Sequence, residues 1–445
     1  MADHQSTRVR ETLKRLFSDQ RLNALAKATG FVKRQRKVKP VAFFWTLVLG
    51  FGVGSARKIS GLRRGYQRST GTSLVPSSFY DRFNSHLVAF LKGAIEHALG
   101  EFRLAFQTLS KRFDAFKDIL ITDSTVIKLH DALAKHFPGC RTNSAPASVK
   151  LHAVLSVKGR GKSTVKLTNG RVHDRRKLVV DDWVKGRLLL FDLGYYHFQL
   201  FKNIVRRGGH FLTRLKENAN PTIVRVFGGS PADEKKLLGQ PLQSVLHGLR
   251  RDVLDVEVEV HAKARRYNGK QRSSSERFRL VAVRDTEERK YHCYLTNILP
   301  EVLSAKEVAS CYRARWEIEL IFKELKSGYR LDDVGTQKKE IVESLIYAAM
   351  LTLLASRALL RSIVSRIEEL LRKRVAPGRW WKVFSEYAQE LQLLLIRPPC
   401  EAPPLRDLFA TIERELVDPH TNRKSLLATT LCSSEVASPQ RVKRS

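Results

Sequence analysis

The sequence predicts an α/β protein whose β-rich centre is flanked by helical regions at both ends. Three observations predict it. Before about residue 110, apolar residues recur every three or four positions, as in Phe79, Phe83, Leu87, Phe90 and Leu91. The centre switches to runs rich in β-branched residues, and from Ser304 onward the helical period returns. With 445 residues, 43% of them hydrophobic, the chain can build two or three domains with sizeable cores.

Pro40 to Ala56 carries no charge between basic flanks. At about 17 residues it only just reaches membrane-spanning length, so a buried helix is the better reading. Ser344 to Ser356 reads as a core helix for the same reason. A basic helical segment, Ala56 to Arg68, is followed by the break Gly71 to Pro76. Ser77 or Ser78 is expected to cap the next helix, with Asp81 in its first turn. Helix, break and helix with surface arginines is compatible with a helix-turn-helix-like DNA reader. An ordinary helical pair is the alternative.

Three β runs follow: Asp118 to Leu129, Ser148 to Val157 and Ser163 to Thr168, with Gly159 to Lys162 as a tight turn. Asp174 to Lys185 reads as a helix, and Arg187 to Gly194 as a buried strand ending at a glycine. Beyond Phe211 to Lys216, Val253 to His261 alternates apolar and polar residues. Phe278 to Val283 and Tyr291 to Thr296 are β-like as well. Tyr267 to Lys270 is a hairpin signal and Arg272 to Ser275 a polar loop. The expected organisation is a helical region over 1–112, an α/β core over 113–345 interrupted by a β-rich insertion at 217–300, and a helical region with a polar tail over 346–445. Trp380-Trp381 in the last region reads as packing.

Formal charge is +36. That excludes an ordinary small-molecule enzyme as the default and points to a polyanion, nucleic acid first. The charge lies in separated stretches: Arg34 to Lys37, Arg63-Arg64, Arg171 to Lys177, Arg265 to Arg272 and Arg361 to Arg379. Such a spread suits a long nucleic-acid path, although any single run also fits a solvated face. The cysteines at 140, 293, 311, 400 and 432 include no C-x2-C pair. This argues against a disulfide scaffold or structural zinc and for a reducing interior. Met1 to Gln20 has no signal-peptide core, so a cytoplasmic location is expected. No G-x4-G-K-[ST] loop and no H-x3-H or H-E-x-x-H pairing occurs, so neither ATP-driven nor zinc chemistry is supported.

The chemistry concentrates in Tyr312 to Lys326. Read as one helix, Tyr312, Arg315, Glu319 and Lys326 fall within a wedge of roughly 60°, with Lys323 at its border. Glu317 points about 160° away from Glu319. The bland reading is a solvated stripe with an Arg315–Glu319 pair four residues apart. Asp123 lies in the first β run, before Ser124-Thr125. Asp192 directly follows the apolar Leu188 to Phe191, a costly place for a carboxylate without a partner or metal. Carboxylates from two strands and a helix can hold two divalent ions for an in-line phosphoryl transfer. Mg2+ suits such an oxygen site, and neighbouring cations would grip the flanking phosphates. Asp114, Asp118, Asp131, Asp181 and Asp182 are rivals for these roles. Asp118 reads as surface at the strand entry, and Asp181 and Asp182 as solvated.

Tyr312, Arg315, Glu319 and Lys326, read as Y-x2-R-x3-E-x6-K, resemble the signature of DDE transposases of the insertion-sequence-four family. Asp123-Ser-Thr resembles that family's first aspartate motif and Asp192-Leu-Gly-Tyr its second; the Lys150-Leu-His152 strand is also similar. The resemblance covers residues 115 to 345. It implies an RNase H-like core with a β-rich insertion between the second aspartate and the glutamate. It implies Asp123, Asp192 and Glu319 as ligands of two Mg2+ ions, for which Mn2+ can substitute. Tyr312, Arg315, Lys326 and Lys323 would contact DNA. An aromatic from the insertion, Tyr291 or Tyr294, would stack on a flipped base. The implied activity is cut-and-paste transposition by a homodimer on terminal inverted repeats and target DNA, in a bacterial nucleoid and without a membrane. A DNA-binding derivative without the reaction and an RNase H-like nuclease without strand transfer are the alternatives.

Overall fold

The computed structural model describes residues 2–34, 37–54, 56–105, 109–140, 145–161, 163–228, 230–263, 273–285, 290–332, 334–371, 377–403, 405, 408–416 and 431. The Tyr267–Lys270 turn, Arg272, Cys432 and most of the polar tail lie outside these residues.

Six helices come first: α1 (Ala2–Leu16), α2 (Asp19–Ala28), α3 (Pro40–Thr46), α4 (Ile59–Thr70), α5 (Pro76–Tyr80) and α6 (Ser85–Glu101). The uncharged stretch is buried as expected, with α3 running into a π-helical turn over Leu47–Phe51. That turn packs tightly on a later helix: a Cβ added to Gly52 would lie 1.8 Å from Thr352 Oγ1. The break after α4 is a Gly71 cap at φ +69°, a left-handed conformation that glycine adopts without strain. The capping expectation needs correction. Pro76 sits in the first turn of the short α5, Asp81 stands at its C-terminal end, and Asn84 caps α6 by accepting from the N–H groups of His86 and Leu87.

The centre is one nine-stranded sheet, in the order β3-β2-β1-β4-β5-β9-β8-β7-β6. Its strands are β1 (Asp118–Lys128), β2 (Ser148–Ser156), β3 (Thr164–Asn169), β4 (Arg187–Phe191), β5 (His210–Arg214), β6 (Thr222–Val226), β7 (Val253–Lys263), β8 (Ser273–Asp285) and β9 (Lys290–Thr296). β1, β4 and β5 are parallel; the other pairings are antiparallel. Successive side chains of β1 and β4 enter opposite cores. Ile119, Ile121, Leu188 and Leu190 face the core shared with the flanking helices. Leu120, Leu189 and Phe191 face a second core with Phe201, Phe211 and Phe278.

Three expectations fail here. Asp174 to Lys185 forms only two short 3-10 turns, Asp174–Arg176 and Asp182–Val184. The stretch expected as a mostly β insertion carries β6 to β9 with two short helices, α8 (Pro231–Leu237) and α9 (Leu242–Gly248), after α7 (Phe198–Arg206), but Ser273 to Ser275 begin β8 rather than form a loop. Its strands extend the main sheet, since β9 pairs with β5. Asp118 is fully buried rather than on the surface. Its carboxylate accepts from the Lys158 and Arg160 N–H groups and from Ser156 Oγ, fixing the β2–β3 turn to β1. Alternation alone cannot reveal a carboxylate satisfied by a distant turn.

The helical C-terminal region begins with α10 (Ala305–Arg313) and α11 (Trp316–Lys323), the latter continued by a π-helical turn over Glu324–Gly328. A Ser304–Glu307 capping box starts α10. Then come α12 (Lys339–Leu371), α13 (Pro377–Glu386), α14 (Ala388–Ile396) and α15 (Leu408–Glu415). α12 runs across the expected boundary at 345/346. Among the described residues it is the one helix long and apolar enough to cross a bilayer, and most of that stretch, Lys339–Val364, is buried in the protein. Its partners come from the far end of the chain. Thr12 and Ser362 hydroxyls lie 3.3 Å apart, and Thr352 Oγ1 donates to Val48 O. Ser6 Oγ accepts from the Leu405 N–H. Trp380 is buried and donates to Ser356 O, as its packing role required.

Arg279 ties the outer sheet to α10. It is 3% exposed, forms a bidentate pair with Asp255 (2.8 and 2.6 Å), and donates to the carbonyls of Ile298 and Leu303 just before α10. Removing one partner of a buried pair leaves an uncompensated charge. Arg279→Ala is therefore expected to destabilise the protein by about 3–5 kcal/mol, and Arg279→Met with Asp255→Leu by far less. Urea unfolding of the three proteins checks this.

Candidate active site

β1 and β4 are paired in parallel up to Thr122 and Phe191. Asp123 and Asp192 are the next residue on each strand. Adjacent strands lie about 4.8 Å apart, so the two carboxylates leave the sheet side by side. The apolar runs before them hold the backbones rigid, and both side chains are only partly accessible.

Glu319 reaches the same place from α11, which packs on β1. Between the carboxylates lies Arg315. Its Nη1 is 3.3 Å from Asp123 Oδ2 and its Nη2 is 2.5 Å from Glu319 Oε1. The guanidinium also lies 5.6 Å from the Tyr312 ring centroid. Tyr312 packs in turn on Tyr294, with ring centroids 5.3 Å apart. Burial pushes the Tyr312 hydroxyl up to about 12, which keeps it neutral. Burial also pushes the Asp123 carboxyl up to about 6. The Ser124 N–H and Arg315 oppose that shift, while Asp192 and Glu319 add to it.

The single-helix reading of Tyr312 to Lys326 holds in direction but not in regularity. The helix tightens at Ala314-Arg315, where both residues keep helical angles but the bonds run to the residue three before, so Tyr312 lies in the last turn of α10 and Glu319 on α11. Arg315 meets Tyr312 as residues three apart on one helical face do. Lys326 sits on the π-helical turn and donates to Val126 O at 2.8 Å, pinning that turn to β1. Lys323 is exposed on the last turn of α11. Glu317 lies toward Arg357 on α12, away from Glu319 as expected.

Of the rival carboxylates, Asp118 is consumed by the β2–β3 turn, and Asp114, Asp131, Asp181 and Asp182 are exposed. Neither tyrosine from the outer sheet is presented to a ligand. Tyr291 donates to the carbonyls of Leu249 and Arg251, and Tyr294 is buried against Tyr312. Three features escape the sequence reading. Glu324 and Arg357 form a buried ion pair beneath the π-helical turn. Trp316 and Leu320, four residues apart on α11, stay 48% and 38% exposed beside the site. Asp174 closes over Ser124. The i, i+4 spacing of Trp316 and Leu320 was the only one of these signals available in sequence.

Among the described residues, no group of three or more His, Cys, Asp or Glu side chains is gathered as a ready metal site. The donor set nonetheless suits a hard cation: carboxylate oxygens at two strand ends and one helix, with a guanidinium already placed between two of them.

Comparison with known proteins bears on these residues. The family model described as Transposase DDE domain matches residues 114–355, more than half of the chain, and spans all three carboxylates. The chain is similar to the transposase for insertion sequence element IS1151 of Clostridium perfringens. The two are 22% identical over 398 residues, covering 81% of this chain and 82% of the relative. It is also similar to the transposase for insertion sequence element IS231F of Bacillus thuringiensis subsp. israelensis, 24% identical over 378 residues, or 77% and 78% of the two chains. A shorter stretch of 72 residues is 43% identical to the putative transposase InsL for insertion sequence element IS186A of Escherichia coli (strain K12), covering 16% of this chain and 20% of that protein.

The raised Asp123 carboxyl predicts a pH dependence. A carboxyl held at about 6 when folded and 3.8 when unfolded favours the fold fully below 3.8 and loses that contribution as pH rises through 6. Asp123→Asn is therefore expected to be more stable than wild type at pH 8, by no more than about 3 kcal/mol. The gain should fade as pH falls toward 4. Thermal melting of both proteins in chelator across this range checks the sign.

Proposed function

The chain belongs to the DDE transposase-domain family, and from that premise we propose that it is a cut-and-paste transposase of the insertion-sequence-four type, carrying that group's signature as Tyr312, Arg315, Glu319 and Lys326. The observation that carries the reading is Arg315 held between Asp123 and Glu319, beside Asp192 on the neighbouring strand end. The strand order β3-β2-β1-β4-β5, with β1, β4 and β5 parallel, supports reading the central sheet as an RNase H-like core.

In this reading Asp123, Asp192 and Glu319 hold two Mg2+ ions, with Mn2+ able to substitute. The ions, when bound, supply activation of water and charge neutralisation at the reacting phosphate. The chain's own groups supply position. Lys323, exposed on α11, and Arg315, released from its two carboxylates, grip the flanking phosphates. Lys326 holds the π-helical turn on β1 and adds charge beneath the backbone. Tyr312, neutral and packed on Tyr294, forms a rigid wall. Water opens the phosphodiester at the element end, and the freed 3′-hydroxyl then attacks target DNA. Joining two ends requires a homodimer on paired terminal inverted repeats, and the substrate places the protein on the bacterial nucleoid. The arginines of α4 and the spread of positive charge support a long DNA path.

Excision of a marker flanked by the element's own ends tests the reading. Wild type should excise; Asp192→Asn should not, while still binding the ends. Excision by Asp192→Asn overturns it. Glu319→Gln is expected to lower strand cleavage at least about 100-fold with little change in end binding, whereas Glu317→Gln changes neither. End binding should fall by about 10³-fold between roughly 50 and 200 mM salt if six or more phosphates are neutralised. A gel-shift titration reads this directly.

A further inference from the structure

One carboxylate near the site is neither exposed nor part of the triad. Asp174 begins the 3-10 turn after β3, and its side chain is 20% exposed. Its Oδ1 accepts from Ser124 Oγ at 2.8 Å and lies 3.2 Å from Lys150 Nζ and 3.5 Å from His152 Nδ1. Ser124 is the residue after Asp123, and its N–H donates to Asp123 Oδ1 at 2.7 Å. Asp174 Oδ2 faces the other strand end: a Cβ added to Gly194 would lie 3.3 Å from it. Gly194 is two residues after Asp192. One carboxylate thus bonds to the residue after Asp123 and lies close to the turn that follows Asp192.

Its partners fix it from behind. Lys150 Nζ also donates to Val172 O, which anchors the approach to the turn. His152 is buried, and its Nε2 lies 2.8 Å from Thr168 Oγ1 on β3. β2 supplies both Lys150 and His152, and Ser124 stands opposite His152 in the β1–β2 register. The lysine, the hydroxyl and the imidazole all meet Oδ1, so that oxygen is committed to holding its neighbours in place.

We infer that Asp174 is a positioning residue for the metal-binding pair: through Ser124 it orients Asp123, and against Gly194 it seats the turn that carries Asp192. This rests on Asp123 and Asp192 being the ligands proposed above. The consequence is that Asp174 sets metal affinity without being a ligand. Partners at this remove typically change affinity or activity by about 10–100-fold.

The test is Mn2+ binding to the full chain, read by electron paramagnetic resonance, beside the Mn2+ dependence of end cleavage. Asp174→Asn is expected to raise the Mn2+ concentration at half-occupancy and at half-maximal cleavage by about 10–100-fold, with partial recovery of rate at high Mn2+. Ser124→Ala should shift both in the same direction by a smaller factor, and the double variant should add less than the sum. Asp123→Asn should abolish both signals; if it does not, the ligand assignment itself falls. If it does, while Asp174→Asn leaves the Mn2+ midpoint unchanged, only the positioning role is overturned. Loss as complete as in Asp123→Asn, without recovery at high Mn2+, makes Asp174 a ligand and also overturns it. If Asp174→Asn fails to fold, Ser124→Ala decides, and an unchanged midpoint there overturns the proposal.

Discussion

The site depends on one pairing, that of β1 with β4. Both strands are buried on two faces, so each reads as a nearly continuous apolar run, and their register is fixed by which side chains enter which core. The last pair is Thr122 with Phe191, and the first residues beyond it are the two aspartates. A slip of one residue would turn a carboxylate into an apolar core, where an unpaired charge is strongly unfavourable. The packing of Ile119, Leu120 and Ile121 against Leu188, Leu189 and Leu190 therefore keeps Asp123 beside Asp192. The remaining parts of the site are brought to that fixed pair: α11 against β1, Lys326 onto the Val126 carbonyl, and Asp174 over Ser124.

This explains which parts of the protein were legible in the sequence. The strands were readable because periodicity and β-branched runs follow from burial. Asp123 and Asp192 stood out because a carboxylate directly after an apolar run needs a reason. Glu319 and Arg315 stood out as an aligned pair. What was not legible depends on contacts between distant segments. Asp118 was misplaced because its donors come from the Lys158–Arg160 turn. Asp174 was lost in an expected helix, because nothing local distinguishes a carboxylate that will meet Ser124 from one that will meet water. The tightened turn at Ala314-Arg315 was also hidden, since nothing in either residue signals it. The Glu324–Arg357 pair and the bond from Tyr329 to Ser356 tie the π-helical turn and the residue after it to α12, again across distant segments.

Arg315 joins two roles that pull in different directions. It neutralises carboxylates that crowd together in a partly dry place, and so makes the unliganded arrangement tolerable. The same guanidinium lies between Asp123 and Glu319, in the space that a cation would share under the proposed function. The surplus of positive charge elsewhere makes a polyphosphate backbone a natural destination for it.

The packing of α1 on α12 has a consequence for how the chain is made. Thr12 and Ser362 are 350 residues apart in sequence, yet their hydroxyls meet in the finished protein. At ordinary rates of synthesis that separation corresponds to tens of seconds on the ribosome, roughly 20–70 s. α1 can complete its packing only after α12 and the segment around Leu405 have been made. α1 is thus made well before the surface that it packs on.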